Sequence, residues 1–222
     1  MDPHTLHTPK ADVTLYLVTD STGLREEDFL TRVEKACRGG ITLLQLREKE
    51  RSGREYFRLA LKVKEIASRY HIPLLIDDRV DIALAAGADG VHVGQSDLPV
   101  KEARRLLGPD KIVGATAKTV PQALEAEAEG ADYLGVGAIF PTTTKVVTVL
   151  TAVETLNAIC QAVGIPVAAI GGLNKGNLSI LENSPISGVS VVSAIMKQAD
   201  PENAARELKE AVCALPSRRH LS

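Results

Sequence analysis

Leu74–Asp97 reads LLIDDRVDIALAAGADGVHVGQSD, and this stretch decides the fold. Two short apolar runs, Leu74–Ile76 and Val91–Val93, each end in polar residues: Asp77 and Asp78 after the first, Gln95, Ser96 and Asp97 after the second. Between them Val80–Ala86 forms helix and Gly87 closes it. That is one β-α-β unit with carboxylates just beyond the carboxyl ends of both strands. Parallel α/β folds bind their ligands at that edge of the sheet. Asp78 and Asp97 are therefore candidates to converge on one hard cation.

The same alternation runs outward in both directions. Strands are expected at Val13–Thr19, Ile41–Arg47, Pro73–Asp77, Gly90–Val93, Lys111–Ala115, Asp132–Val136, Pro166–Ile170 and Gly188–Val192. Helices are expected at about Glu27–Arg38, Gly53–Tyr70, Val80–Ala86, Val100–Leu107, Val120–Glu129, Val153–Val163, Gly176–Glu182 and Pro201–Ala214. Eight units in 222 residues fit a closed (β/α)8 TIM barrel of the α/β class, as a single domain. A weak repeat agrees: GADGVHVG at Gly87–Gly94 returns as GADYLGVG at Gly130–Gly137. The barrel is expected over residues 13–215, with tails at 1–12 and 216–222.

Composition narrows the function. Lys plus Arg total 26 against 28 Asp plus Glu, so a net charge of −2 gives no nucleic-acid footprint. No apolar run reaches membrane-spanning length, and the first residues lack the apolar core of a signal peptide. The three cysteines, Cys37, Cys160 and Cys213, have no metal-ligand spacing and read as small buried apolar residues in a reducing compartment. A cytoplasmic location is the expectation, with small phosphorylated molecules as partners, neither nucleic acid nor membrane, and a homo-oligomer left open.

In ITLLQLREK the side chains of Gln45, Arg47 and Lys49 share one side of the strand and Leu44 and Leu46 the other. The leucines must meet the helices, so the polar three point inward and upward. They form either an internal ion-pair network with Asp77 or Asp78, or an anion clamp. The loop Gly137–Lys145, GAIFPTTTK, is either a solvated turn or a phosphate wrap. Paired glycines at Gly171–Gly172 and a helix starting near Ser193 suit the phosphate site recurrent in loops seven and eight of this fold. His92, on inward parity, reads as a hydrogen-bonded supporting group rather than a catalyst. Thr116 lies just past strand five. Two carboxylates with few further protein ligands fit Mg²⁺, which completes its shell with water and substrate phosphate. Departure of a pyrophosphate is the chemistry this combination suggests.

YLVTD, QLREK, IDDR, GVHVGQSD, GAIFPTTTK, IGGLN and VVSAI together resemble the serial motifs of the thiamine-phosphate synthase family, over nearly the whole chain. The resemblance implies a (β/α)8 barrel that joins a hydroxymethylpyrimidine diphosphate to a thiazole phosphate, or its carboxylated form, and releases pyrophosphate. It implies that Gln45, Leu46, Arg47, Glu48, Lys49, Asp77 and Thr116 hold the pyrimidine diphosphate, with Asp78 and Asp97 binding Mg²⁺. Thr142, Thr143, Thr144, Gly172, Val192 and Ser193 would hold the thiazole phosphate. Arg47, Lys49, Lys145 and Thr116 would face the leaving group. The family commonly has Asn where this chain has Asp77, serine in place of Thr116, and AGADGVS where this chain has ENSPISGVS. A related barrel, the thiazole tautomerase, would be expected to lack the diphosphate clamp and the metal pair.

Overall fold

A computed structural model describes residues 11–141 and 150–219 of the protein. Eight parallel strands close into a barrel in chain order: β1 (Leu15–Val18), β2 (Leu43–Leu46), β3 (Leu74–Asp77), β4 (Gly90–Val93), β5 (Ile112–Ala117), β6 (Tyr133–Gly137), β7 (Val167–Ile170) and β8 (Gly188–Val191). Around them run α1 (Glu26–Arg38), α2 (Gly53–Arg69), α3 (Val80–Ala86), α4 (Val100–Leu107), α5 (Val120–Ala128), α6 (Val153–Ala162) and, after β8, a short α7 (Ser193–Met196) and α8 (Pro201–Cys213). The sequence placed β4, α3 and α4 at these same bounds.

Local chemistry explains the elements. Helix α2 starts at Ser52, whose hydroxyl accepts from the Glu55 backbone while the Glu55 carboxylate accepts from that of Ser52. Its buried residues Tyr56, Leu59, Ala60, Val63 and Ile66 form one stripe against the barrel. Every even-numbered strand is preceded by a short polar residue that ties it to the strand before. Thr42 Oγ1 accepts from Leu15 N at 3.0 Å, Asp89 from Leu74 N at 2.8 Å, Asp132 from Val113 N at 2.8 Å and Ser187 Oγ from Val167 N at 3.3 Å. The GAD repeat is thus one device used at β4 and β6. In ENSPISGVS, Ser187 performs it with a hydroxyl.

Three sequence expectations change, the first being that Cys213, expected to be buried like Cys37 and Cys160, is exposed at the end of α8. Gly176–Glu182, expected as a helix, is only a 3₁₀ turn at Leu178–Leu181. Asn174 and Asn177 divert the local backbone: Asn174 Oδ1 accepts from Gly176 N at 2.9 Å and Asn177 Oδ1 from Asn174 N at 2.8 Å. The parts of the expected tails that the structure describes are tied down. Ala11 is buried with Val13 at the amino end of the barrel interior. Arg219 donates from its backbone to Ile186 O at 2.8 Å and from its guanidinium to Cys160 O at 2.8 Å.

Most of the apolar core lies between strands and helices, whereas a smaller cluster fills the barrel: Val13, Tyr16, Val18, Leu43, Leu75, Ile112, Tyr133 and Ala168. Small residues make room for large ones there. Gly114 of β5 pairs with Tyr133 of β6, and a Cβ at Gly114 would stand 2.2 Å from the Tyr133 ring. The ring cannot retreat, because its hydroxyl is bonded on two sides (below). Gly114→Ala is therefore expected to destabilise the fold by about 1–3 kcal/mol through overpacking. Urea unfolding measures this, and an unchanged midpoint would contradict the packing described.

Candidate active site

The floor of the barrel mouth is a buried chain of polar side chains. Gln45 Nε2 donates to Tyr16 Oη, which lies 2.8 Å from Tyr133 Oη. Tyr133 Oη is 2.9 Å from His92 Nδ1, and His92 Nε2 is 3.0 Å from Thr116 Oγ1. Five residues from five strands are thereby joined. A single proton arrangement gives every donor an acceptor. Tyr16 receives from Gln45 and gives to Tyr133, Tyr133 gives to His92 Nδ1, and His92 gives from Nε2 to Thr116. The Thr116 hydroxyl proton then remains to be offered to the mouth. Burial lowers the His92 pKa to about 4 and pushes both tyrosines up, so the chain is neutral near pH 7. Tyr16 and Tyr133 were missed in the sequence, although both lie in quoted motifs on the inward parity of their strands.

Above this floor stands a cluster of charges. Asp77, last in β3, is buried and points inward. The Lys49 ammonium lies 3.1 Å from Asp77 Oδ2 and also contacts Asp78 Oδ2, while Arg47 Nε lies 3.7 Å from Asp77. Burial raises the Asp77 pKa, partly offset by Lys49 and Arg47. The internal ion-pair network considered from sequence is therefore present, and the same cations line the mouth. Asp78 adopts φ 60°, rare for a residue with a side chain, and its N–H donates to His92 O at 2.9 Å. That turn brings its carboxylate to Asp97 while one of its oxygens also meets the Lys49 ammonium. Asp97 Oδ2 accepts from Gly94 N at 2.8 Å. Burial first, then hydrogen-bonding contact with Asp78, raises the Asp97 pKa.

Asp78 and Asp97 thus bring two hard, anionic oxygen donors together at the carboxyl ends of adjacent strands, and this donor set suits Mg²⁺. Among the described residues no cluster of three or more His, Cys, Asp or Glu side chains could hold a metal ion. A cation here would have to complete its shell with water and ligand oxygens.

Leu46 and Glu48 do not join the mouth through their side chains. Leu46 is wholly buried against the helix layer. The Glu48 carboxylate turns to Ser21 Oγ at 2.8 Å and Arg51 Nε at 3.0 Å. Strand alternation puts both on the side opposite Gln45, Arg47 and Lys49, so only their backbone is left for a ligand.

Across the mouth, Gly171 (φ 104°) and Gly172 (φ 64°) follow β7. A Cβ at Gly172 would stand 2.7 Å from Phe140 Cβ, so the glycine lets the loops after β6 and β7 touch. Val192 packs on the barrel interior, and Ser193 opens α7, in which Ile195 and Met196 donate their N–H groups back to Val192 O at 3.1 and 2.9 Å. A cavity of about 450 Å³ lies here, lined by Gly172, Asn174, Lys175, Ser193, Ala194 and Lys197 among others. Thr142, Thr143, Thr144 and Lys145 lie outside the described residues.

Comparison with known proteins fits this geometry. A family model described as thiamine monophosphate synthase matches residues 15–195. The thiamine-phosphate synthase of Clostridium tetani is 48% identical over 203 residues, which cover 91% of this chain and 97% of that protein. That of Enterococcus faecalis is 56% identical over 182 residues, 82% of this chain and 86% of that protein. Among solved structures, thiamine phosphate pyrophosphorylase from Pyrococcus furiosus superposes with a TM-score of 0.84 at 36% identity, covering 93% of this chain and 98% of that one.

A pH test probes the floor. The His92 pKa is about 4 when folded and 6.5 in its ordinary state, so between these values the unfolded chain binds a proton that the folded chain refuses. The contribution is whole above pH 6.5 and is lost as pH falls to about 4. Asp77 and Asp97, raised instead, act in the opposite sense, so the comparison must be with His92→Gln. The wild-type stability advantage over His92→Gln is expected to shrink by up to roughly 3 kcal/mol across that window. A pH-independent difference in denaturant unfolding would contradict a buried neutral imidazole.

Proposed function

The chain belongs to the thiamine monophosphate synthase family, and on that premise we propose how its barrel mouth joins a pyrimidinylmethyl diphosphate to a thiazole phosphate. The products are thiamine phosphate and pyrophosphate. One observation carries this reading: a single mouth has two separate regions suited to anions, a cation-rich one at β2–β4 and a glycine-lined one at β7–β8, over a neutral polar floor.

The pyrimidine diphosphate lies over the floor with its leaving group toward Arg47 and Lys49. Thr116 offers its free hydroxyl proton to the same oxygens. Neutral Gln45 and Thr116 suit an uncharged aminopyrimidine, which a protonated imidazole at His92 would repel as its ring gains positive charge. The C–O bond to the diphosphate breaks as charge spreads over the aminopyrimidine. The thiazole nitrogen then supplies the electron pair for the new C–N bond. No protein nucleophile is required; the residues orient two rings and stabilise the leaving group.

Asp78 and Asp97 would hold Mg²⁺, which when bound supplies neutralisation of diphosphate charge. Gly172, Val192 and Ser193 would cradle the thiazole phosphate through backbone and hydroxyl donors. The resemblance adds Thr142, Thr143 and Thr144 to that cradle and directs Lys145 to the diphosphate. With no helix among the described residues long and apolar enough to cross a membrane, and a cysteine pattern suited to reducing conditions, a cytoplasmic location is the reading we adopt.

The test is pyrophosphate release with each component omitted in turn. Release is expected only when both substrates and a divalent metal are present. Asp97→Asn should lower kcat by roughly 10²-fold, the scale on which single charge-stabilising groups act. Asp77→Asn should be mild, because Asp77 meets Lys49 and Arg47 rather than Asp97. Full-rate turnover in excess chelator would refute the metal assignment, and release without the thiazole phosphate would refute the coupled reaction.

A further inference from the structure

The cation cluster contains a conflict. Lys49 is held by two carboxylates at once, Asp77 Oδ2 at 3.1 Å and Asp78 Oδ2 in closer contact. Asp78 is also half of the Asp78–Asp97 pair that suits a divalent cation. A dication there would face an ammonium on its own ligand's carboxylate. Like charges so close repel even at an effective dielectric constant of about 20.

Resting on the metal reading above, we infer that Lys49 is a stand-in cation that the metal must displace. In the free protein its ammonium neutralises Asp78 and Asp77. When metal and diphosphate arrive together, the ammonium leaves Asp78 for a phosphate oxygen. Asp77 keeps it at the rim through the swing. Asp77 gives this chain a second carboxylate to hold the lysine. Lys49 can make the exchange because its side chain is 44% exposed and carries a single movable charge, whereas Arg47 is more enclosed at 24%.

Metal binding and diphosphate binding are therefore coupled. Metal alone binds weakly because it competes with Lys49. Diphosphate removes the competitor by giving the ammonium a better partner. The assignment makes Lys49 a positioning group for the metal as well as a ligand for the leaving group.

The test measures Mn²⁺ binding by electron paramagnetic resonance on the full chain, without turnover. In the free protein, Lys49→Met should bind Mn²⁺ roughly two- to fivefold more tightly than wild type, the scale of one partly exposed ion pair. Lys49→Gln should behave alike, guarding against a folding artefact in either variant. Saturating inorganic pyrophosphate should tighten Mn²⁺ binding by a larger factor in wild type than in Lys49→Met. Asp97→Asn should abolish binding in both backgrounds. If Asp97→Asn abolishes binding but both Lys49 variants match wild type or bind more weakly, the stand-in role is wrong and the metal site stands. Should Asp97→Asn bind as wild type does, the metal reading falls and the stand-in role with it.

Discussion

Three carboxylates, Asp77, Asp78 and Asp97, crowd the carboxyl ends of β3 and β4, and their charge must be neutralised in a partly buried place. Burial raises the pKa of Asp77 and of Asp97. The turn at Asp78, φ 60°, lets its carboxylate meet both the Lys49 ammonium and Asp97, while Asp77 faces Lys49 and Arg47. The mouth's other properties follow from that arrangement. Its cations are aligned along one edge, its metal-type donors are paired, and the opposite edge is left to the glycines after β7.

Such a charge cluster needs a rigid floor. The barrel interior supplies one through size complementarity, a tyrosine beside a glycine at Tyr133 and Gly114, and through the neutral chain from Gln45 to Thr116. Each hydroxyl or ring nitrogen in that chain fixes the next, so the rotamers at the mouth are set from below. At the other end, Thr42, Asp89, Asp132 and Ser187 tie each even-numbered strand to the strand before it. The barrel is thereby held in register at its amino end while its carboxyl end is free to carry chemistry.

The strands were legible because each is a short apolar run bounded by polar residues, and inward parity correctly sent Gln45, Arg47 and Lys49 to the mouth. Contiguity in a motif was a poorer guide: Leu46 and Glu48 belong to QLREK, yet alternation turns their side chains to the helix side. The helix expected at Gly176–Glu182 failed because helical propensity does not register two asparagines bonding the adjacent backbone. Tyr16 and Tyr133 were hidden for another reason. Each looks like an ordinary core aromatic, and their hydroxyls meet only because strands 117 residues apart in sequence face each other across the barrel. Ser187 lies in a stretch that departs from the pattern the resemblance implies, and its role in tying β8 to β7 appears only once the strands are paired.

The central claim is that Asp78 and Asp97 form one metal site next to a lysine that yields to the metal and diphosphate. The most direct measurement is anomalous diffraction from crystals grown with Mn²⁺ and inorganic pyrophosphate. The account predicts one anomalous peak bridged by the Asp78 and Asp97 carboxylates, with the Lys49 ammonium on a phosphate oxygen and off Asp78. A peak bound by other residues, or a lysine still seated on Asp78 beside the ion, would contradict it.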